Sequence, residues 1–404
     1  MSDNNGKIQT SILGTLSTVP SYLKEDMEKG LTVGSQIVAS NPAVHKLRFS
    51  RPIPLGVSGS SITDLVPTVG CCGGTLGALV VNVVGVQFIL SNKHVLAGDI
   101  ISGGNTRISR VGDQVRQPGL IDIGCSNIPT DTVATVAGWV PIYPINTGKV
   151  NRVDVALARV SPGAVRSDGA IFGIGGVSVF PVQPVVGMRV AKSGRSSGVT
   201  LGRIVGVDAT IDVEYTVECG SSQVFTARFT GQMLIQSENG SPFSQPGDSG
   251  SLIVTNTTIP SPVGLLFAGS STITVANKIT EVLGSFGVKM VGIGVPGTTN
   301  TKTNNIKENI GETYMGEIEG MSDDILYKEY GEDICNAIKI KRKYIDKILC
   351  IPECVGCYIR RNELGQCPEL VIMVKKNTEK HKKVTQDYDG LKTVVEVHTT
   401  FRAY

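Results

Sequence analysis

Short apolar segments separated by turn residues fill the middle of this chain, from residue 46 to about residue 295. Examples are TLGALVVNVV, VQFILSN, DVALARV, SLIVTN and PVGLLFAG. Many short strand-like runs at this spacing are typical of an all-β barrel or sandwich. The 48 glycines and the low aromatic fraction of 5% fit many short strands and turns. The pattern therefore predicts a mainly β domain over residues 46–297.

One serine in this region lies between glycines, in the sequence Gly-Asp-Ser-Gly-Ser at 247–251. Glycines permit a tight turn that leaves the backbone open to an approaching carbonyl group. The amide N–H groups of Gly247 and Ser249 could then point at one spot and form an oxyanion hole. Asp248 is expected to hold this turn. Because Gly, Asp and Ser are common turn residues, the motif indicates catalysis only together with a histidine and a carboxylate.

Both partners occur upstream. His94 ends the apolar run FILSNKHVLA, and Asp154 lies inside the run NRVDVALARV. A histidine can take the serine proton and later return it to the leaving group, while an aspartate holds the imidazole in the correct tautomer. The order His94, Asp154, Ser249 is that of the chymotrypsin arrangement.

The alternatives are ordinary structural roles. His94 could be a histidine at a strand end, and Asp154 a surface aspartate. His45 lies outside the β-rich region, and the apolar flanks of Asp154 argue against a surface position. Weaker candidates for the carboxylate lie in polar loops at Asp99, Asp122 and Asp131.

The contexts SNKHVLA, DVALARV and PGDSGS resemble those of trypsin-like serine peptidases. A fourth stretch, VAKSGRSSGVTLGRIVGV at 190–207, resembles the hairpin that opens the second barrel in bacterial and plant-type members. The resemblance covers roughly residues 70–295. It implies two six-stranded β-barrels, with His94 and Asp154 on the first, Ser249 on the second and the substrate in the groove between them.

The resemblance also implies a substrate pocket. Its floor would lie six residues before the serine, at Phe243, and one wall would be formed by Phe267, Ala268 and Gly269. An aspartate at the floor would select Arg or Lys, and none is present there. Substrates with small or hydrophobic side chains before the cut are therefore expected.

The resulting hypothesis is a serine endopeptidase that forms an acyl-enzyme from a protein or peptide substrate, with no metal or cofactor in catalysis. The alternative is a binding or regulatory protein on a protease scaffold, whose triad is idle or acts only in cis. An esterase with the same triad is a third interpretation.

Composition excludes some classes of partner. A formal net charge of +3 indicates no nucleic-acid footprint. The sequence contains no run of 18 apolar residues, so no transmembrane helix is predicted. The first residues lack the pattern of a secretory signal. Nine cysteines are an odd number, and none adjoins His94 or Ser249. These features predict an intracellular protein in a reducing cytoplasm, and the resemblance to trypsin-like peptidases implies a bacterial-type member.

The ends of the chain differ from the middle. Residues 1–45 are interpreted as a leader with one short helix, and the polar residues 298–321 as a linker. Residues 322–404 contain a helical pattern followed by three strand-like runs, which predicts an α+β module. This module resembles a small accessory module that often accompanies bacterial trypsin-like peptidases. It would bind a regulatory partner or restrain the enzyme.

Two further expectations concern the module. Residues 301–404 hold 34 of the 73 charged residues, which favours a core separate from that of the protease domain. Its clustered cysteines could bind zinc or remain unliganded thiols, and the spacing favours thiols; they are Cys350, Cys354, Cys357 and Cys367.

Overall fold

The computed structural model describes residues 41–66, 70–98, 109–294, 330–376 and 388–403. The fold is mainly β, with two closed six-stranded barrels and a small C-terminal α+β part. The predicted fold class is confirmed. The helix expected in the leader, the linker at 298–321 and Asp99 lie outside the described residues.

Nine strands lie between residues 57 and 160 in the described part of the chain. They are β1 (Val57–Ser61), β2 (Leu65–Val66), β3 (Gly70–Cys71), β4 (Gly74–Leu76), β5 (Ala78–Val81), β6 (Gln87–Ser91), β7 (Gln114–Arg116), β8 (Thr132–Trp139) and β9 (Ala156–Val160). β4 and β5 act as one strand bent at Gly77, which pairs with β1 along its first part and with β6 along its second. The pairings β1–β7–β8–β9–β6 close the barrel, and β2 and β3 form a separate hairpin.

Six strands form the second barrel. They are β10 (Arg189–Gly194), β11 (Gly198–Thr216), β12 (Val224–Ser237), β13 (Leu252–Thr255), β14 (Pro262–Gly269) and β15 (Ile273–Lys278). Their order is β10–β13–β14–β15–β12–β11, and β10 also pairs with β11, so the sheet closes. With 19 and 14 residues, β11 and β12 form a long hairpin.

The described barrel region also contains short elements. The helices are α1 (Lys93–Leu96) and α2 (Ile279–Gly284), and β16 (Lys289–Met290) adds to the edge of β5. Single 3₁₀ turns occupy Pro42–Lys46, Ile62–Asp64, Leu120–Ile123, Pro129–Asp131 and Ile145–Thr147. The first of these turns falls at the end of the segment expected to be a leader, yet its Val44 is buried in the core of the first barrel.

The described residues of the C-terminal part form two helices and four strands. They are α3 (Glu332–Lys343), α4 (Ile345–Leu349), β17 (Cys354–Arg361), β18 (Pro368–Val374), β19 (Thr393–Val397) and β20 (Phe401–Ala403). β17 pairs with β11, and β18 and β19 follow it, so this part extends the sheet of the second barrel. Three of these strands match the predicted runs; β20 was not predicted.

The C-terminal part does not have the separate core that was expected from the sequence. Ile204 of the barrel and Ile338 of α3 belong to one buried cluster. Nearby, the carboxylate of Asp208 on β11 accepts from Lys341 at 2.9 Å and from Arg342 at 2.8 Å. Burial alone would raise the pKa of Asp208, but these two cations outweigh it and hold the pKa well below its ordinary value. The C-terminal part thus shares a buried cluster with the second barrel, and two of its cations lie at this joint.

The four cysteines of the barrel region are paired. Cys71 is bonded to Cys125, and Cys72 to Cys219 at the tip of the β11–β12 hairpin. The first pair lies within the first barrel region, and the second ties the hairpin of the second barrel to the first. The odd cysteine count therefore arises from the five thiols of the C-terminal part. A cytoplasmic location stays a prediction.

Candidate active site

His94 and Asp154 are in direct contact. β6 ends at Ser91, and α1 then turns the chain so that the His94 side chain faces the groove between the barrels. Its Nδ1 lies 2.5 Å from Oδ2 of Asp154. Because an ionised carboxylate only accepts hydrogen bonds, Nδ1 carries the proton.

The Asp154 carboxylate is fully buried and accepts three hydrogen bonds. The Lys93 backbone N–H donates to Oδ1 at 2.7 Å, and the Tyr215 hydroxyl donates to Oδ2 at 2.9 Å. Burial alone would raise the pKa of Asp154, but His94 and these hydrogen bonds outweigh it and lower the pKa below the ordinary value. The carboxylate therefore stays ionised at neutral pH.

Two asparagines fix the backbone of Asp154. The Asn92 side-chain amide donates to the Asp154 carbonyl at 2.7 Å, and the Asp154 N–H donates to Oδ1 of Asn277 at 3.0 Å. Asn277 lies on β15, so the second barrel holds the aspartate of the first. This arrangement fixes the position of the carboxylate relative to both barrels.

The Gly247–Ser251 turn presses against the first barrel beside His94. A Cβ at Gly250, which has φ +90°, would lie 2.0 Å from the Ser91 hydroxyl oxygen. The Ser249 carbonyl accepts from the Thr75 N–H at 2.8 Å. Ser249 is fully buried, and its hydroxyl donates to the Phe267 carbonyl at 3.1 Å. Only glycine fits position 250, and the contact brings the serine turn to the end of the strand that carries the histidine.

The amides of Gly247 and Ser249 match the expected oxyanion hole in one respect. Neither N–H donates to an acceptor within the described part of the chain. Gly247 has φ +99°, and its carbonyl accepts from the Thr75 hydroxyl at 3.0 Å. These two backbone N–H groups of one turn are therefore available to a negatively charged oxygen.

Asp248 holds this turn, as expected from the sequence. Its carboxylate accepts from the backbone N–H groups of Ser196, Ser197 and Gln245 at 2.8, 3.1 and 2.9 Å. Lys192 lies 3.3 Å from it, and both side chains are fully buried. Burial would raise the pKa of Asp248, but Lys192 and the hydrogen bonds outweigh it and lower the pKa. The buried pair anchors the serine turn to the hairpin that opens the second barrel.

The other aspartates considered in the sequence have different partners. Asp122 accepts from Arg195 at 2.7 and 2.5 Å, and Asp131 pairs with Arg48 at 2.8 Å. His45 is buried against Phe172, and desolvation lowers its pKa to about 4. None of these contacts involves Ser249 or His94.

The groove contains two cavities near the serine turn. One of about 250 Å³ is lined by His94, Tyr215, Gly247 and the Cys72–Cys219 disulfide, among others. The other, of about 510 Å³, lies between residues 244–246 and 269–271. Both flank the turn that carries Ser249.

The predicted pocket residues divide into two groups. Gly269 lines the larger cavity, and Ala268 and Phe267 precede it on β14. Phe243 differs from its expected position at a pocket floor: it does not line either cavity, and it is 3% exposed within the core of the second barrel. Its side chain packs over Gly202, where a Cβ would approach it to 2.7 Å. Small or polar residues line the larger cavity, whereas Val95, Ile121 and Tyr215 also line the smaller one.

Three polar groups at the site were not found from the sequence. They are Tyr215, Lys192 and Arg195, which come from the hairpins of the second barrel. In the sequence, these three residues stand out only as charged or aromatic residues within apolar strand runs. That signal does not indicate which partner it meets across the groove.

No group of metal ligands is present in the residues that the structure covers. Among the clustered cysteines, burial raises the pKa of Cys357 to about 12 and that of Cys354 to about 11. Neutral thiols are poor metal ligands. Over the same ranges, no helix has both the length and the apolar composition needed to cross a bilayer.

Comparison with known proteins gives local matches. The family model described as Nal1 C-terminal domain matches residues 153–281. Protein NARROW LEAF 1 of Oryza sativa subsp. japonica is 33% identical over 105 residues, which are 24% of this chain and 16% of the rice protein. The chain thus matches about a sixth of the length of that relative.

Similar solved structures are bacterial proteases. Thermobifida fusca Protease A has a TM-score of 0.37 and 17% identity, and the match covers 59% of this chain and 98% of that one. Nocardiopsis protease has a TM-score of 0.36 and 15% identity, over 59% and 98%. The interpretation of the site therefore depends on its own geometry.

Proposed function

We propose that this protein is a serine endopeptidase in which His94, Asp154 and Ser249 form the catalytic triad. The observation that carries the proposal is the hydrogen bond between His94 Nδ1 and a fully buried, ionised Asp154. An isolated buried carboxylate is costly, and this one is oriented by Lys93 and Tyr215 so that one oxygen faces the imidazole.

The roles follow from the contacts. Since Nδ1 donates to Asp154, Nε2 is the nitrogen that takes the proton from the Ser249 hydroxyl as the hydroxyl attacks the peptide carbonyl. The hydroxyl must first rotate away from the Phe267 carbonyl. The Gly247 and Ser249 amides would bind the oxyanion. Nε2 then protonates the leaving amine, and water releases the acyl group from Ser249.

A fluorophosphonate probe tests this proposal. It should label Ser249 in the folded protein, as located by peptide mapping. Labelling should disappear in Ser249→Ala and fall by several orders of magnitude in His94→Ala, because the base is then missing. Ser244→Ala is the matched control, since this serine lines the cavity and pairs with Thr274 instead. A folded protein whose Ser249 stays unlabelled would favour a binding protein with an idle triad.

A further inference from the structure

The C-terminal strand β20 lies in the groove between the barrels. It runs antiparallel to β14, with Arg402 opposite Gly269 and Ala403 opposite Ala268. On its other side it pairs with β11 at Val213. Since Ala268 and Gly269 are the residues expected to line the substrate pocket, β20 covers the strand edge beside that pocket.

The direction of β20 is that of a substrate. β14 passes Ser249 at Leu266 and Phe267, and then runs away from it to Gly269. An antiparallel partner therefore runs towards Ser249 from its N-terminal to its C-terminal end. The acyl group that a serine takes comes from the residue on the N-terminal side of the cut. A peptide on this edge must have the same polarity to present that carbonyl.

The side chains of β20 alternate in their surroundings. Phe401 is fully buried in a cluster with Tyr215, Phe229 and Phe267. The Arg402 side chain is 72% exposed and lies 3.5 Å from Glu214. Ala403 lines the same cavity as His94. One aromatic side chain thus anchors the strand, and a small one lies next to the histidine.

β20 also contacts the larger cavity. Arg402 lines it together with Thr399 and Thr400, while Ala403 lines the smaller one. The strand therefore lies between two spaces that both border the serine turn.

We infer that β20 occupies the peptide-binding edge of β14, so that a peptide substrate must displace it. This inference rests on the proposed function. The pattern of β20 also defines the substrate class, which is an extended peptide with an aromatic residue at the position of Phe401 and a small residue at that of Ala403. The cleft is restrained by its own chain until β20 is released.

Competition has a defined kinetic signature. When only a fraction of the molecules has an open edge, the apparent affinity for substrate falls by that fraction. Saturating substrate displaces β20, so kcat is unaffected. Weakening β20 should lower KM and leave kcat unchanged.

Arg402→Pro is the first test. Proline removes the backbone N–H of residue 402 without emptying the aromatic cluster. KM for a tetrapeptide substrate should fall at least fivefold, with kcat within twofold. The matched control is Arg402→Ala, which loses the side chain near Glu214 but keeps the backbone donor, and its KM should stay within twofold of the original. Equal KM values in the three proteins would overturn the inference.

Hydrogen exchange on the unaltered full chain is the second measurement, and it decides the matter should Arg402→Pro fail to fold. A tetrapeptide boronate with the sequence of residues 401–404 is bound covalently at Ser249. Amides of residues 401–403 should then lose protection, because the inhibitor takes their place on β14. Protection that persists with the boronate bound would exclude displacement.

The outcomes separate the two proposals. Fluorophosphonate labelling of Ser249 together with unchanged KM in Arg402→Pro would keep the endopeptidase and overturn the role of β20. A boronate that binds Arg402→Pro more tightly than it binds the unaltered protein would support both. Absence of labelling and of boronate binding in both folded proteins would remove both.

Discussion

At the scale of single residues, Tyr215 joins the second barrel to the carboxylate of the first. Its hydroxyl donates to Asp154, and its ring packs edge-on to His94 at 5.8 Å and stacks on Phe225. Burial and the neighbouring Asp154 raise the pKa of Tyr215 well above its ordinary value. The hydroxyl therefore remains protonated, and a hydrogen-bond donor, at neutral pH.

Tyr215→Phe should shift the pH dependence of catalysis. Loss of this donor raises the pKa of Asp154, because the hydrogen bond stabilises the ionised form. A hydrogen bond to a charged group contributes about 1.5–3 kcal/mol, so the acid limb of kcat/KM should move about one unit towards neutral pH. The value of kcat/KM at pH 8 should fall less than its value on the acid limb. The coupled pair titrates as a unit, so the limb reports both groups.

A tyrosine whose hydroxyl does not contact Asp154 is the control for this prediction. The Tyr358 hydroxyl contacts Glu396 at 3.3 Å in the C-terminal part. Tyr358→Phe should leave the profile in place. An unmoved acid limb in Tyr215→Phe would show that the hydroxyl does not tune Asp154.

At the scale of elements, the β11–β12 hairpin combines three tasks. It forms part of the second barrel, carries Tyr215 into the groove and pairs with β17 and β20 along β11. Its tip is tied to the first barrel by the Cys72–Cys219 disulfide, which lines the cavity beside His94. The position of Tyr215 therefore depends on a bond that crosses the two barrels.

The Cys72→Ala/Cys219→Ala variant should lose both stability and activity. Removing a disulfide costs about 2–5 kcal/mol, and here the released hairpin tip also loosens Tyr215. The Cys71→Ala/Cys125→Ala variant, which breaks the pair within the first barrel region, should lose stability with a smaller loss of kcat/KM. Urea unfolding and peptide hydrolysis measure the two effects. Equal losses of kcat/KM in the two variants would contradict a specific role for the hairpin tip.

At the scale of the whole molecule, the C-terminal part packs on the closed second barrel and extends its sheet. β17 covers the edge of β11, and Ile338 and Ile372 join the same buried cluster as Ile204. Asp208 is paired with Lys341 and Arg342 of α3. Removing this part would expose an apolar face and a strand edge. It would also leave the buried Asp208 carboxylate without Lys341 and Arg342.

A chain that ends at residue 298 should therefore be insoluble or unfolded. Two fragments produced together, one ending at residue 298 and one beginning at residue 322, should restore a soluble complex, because the apolar face is covered again. Soluble yield and circular dichroism measure both outcomes. A soluble, folded truncated protein would show that the barrel does not depend on the shared cluster.

The sequence by itself determined the mainly β class, whereas the two barrels were implied by the resemblance of its motifs. Short apolar runs between glycines give strands regardless of their partners, since the alternation of buried and exposed side chains is a local property. The runs ending in His94 and containing Asp154 were also local signals, and the structure brings these two side chains together. The turn at Gly247 and Gly250 has the positive φ angles that its glycines predict.

Only the tertiary structure decided what meets across the groove. Charge density suggested a separate tail, but β17, β18 and α3 bury apolar faces, and their buried charges are paired, Lys341 with Asp208 and Glu369 with Arg360. Phe243 packs inward because Gly202 leaves room for its ring. A three-residue strand such as β20 has too little pattern to be predicted, because its place depends on two distant strand edges and on a pocket for Phe401. Cysteine pairing and the donor from Tyr215 are long-range contacts of the same kind, and local sequence does not encode them.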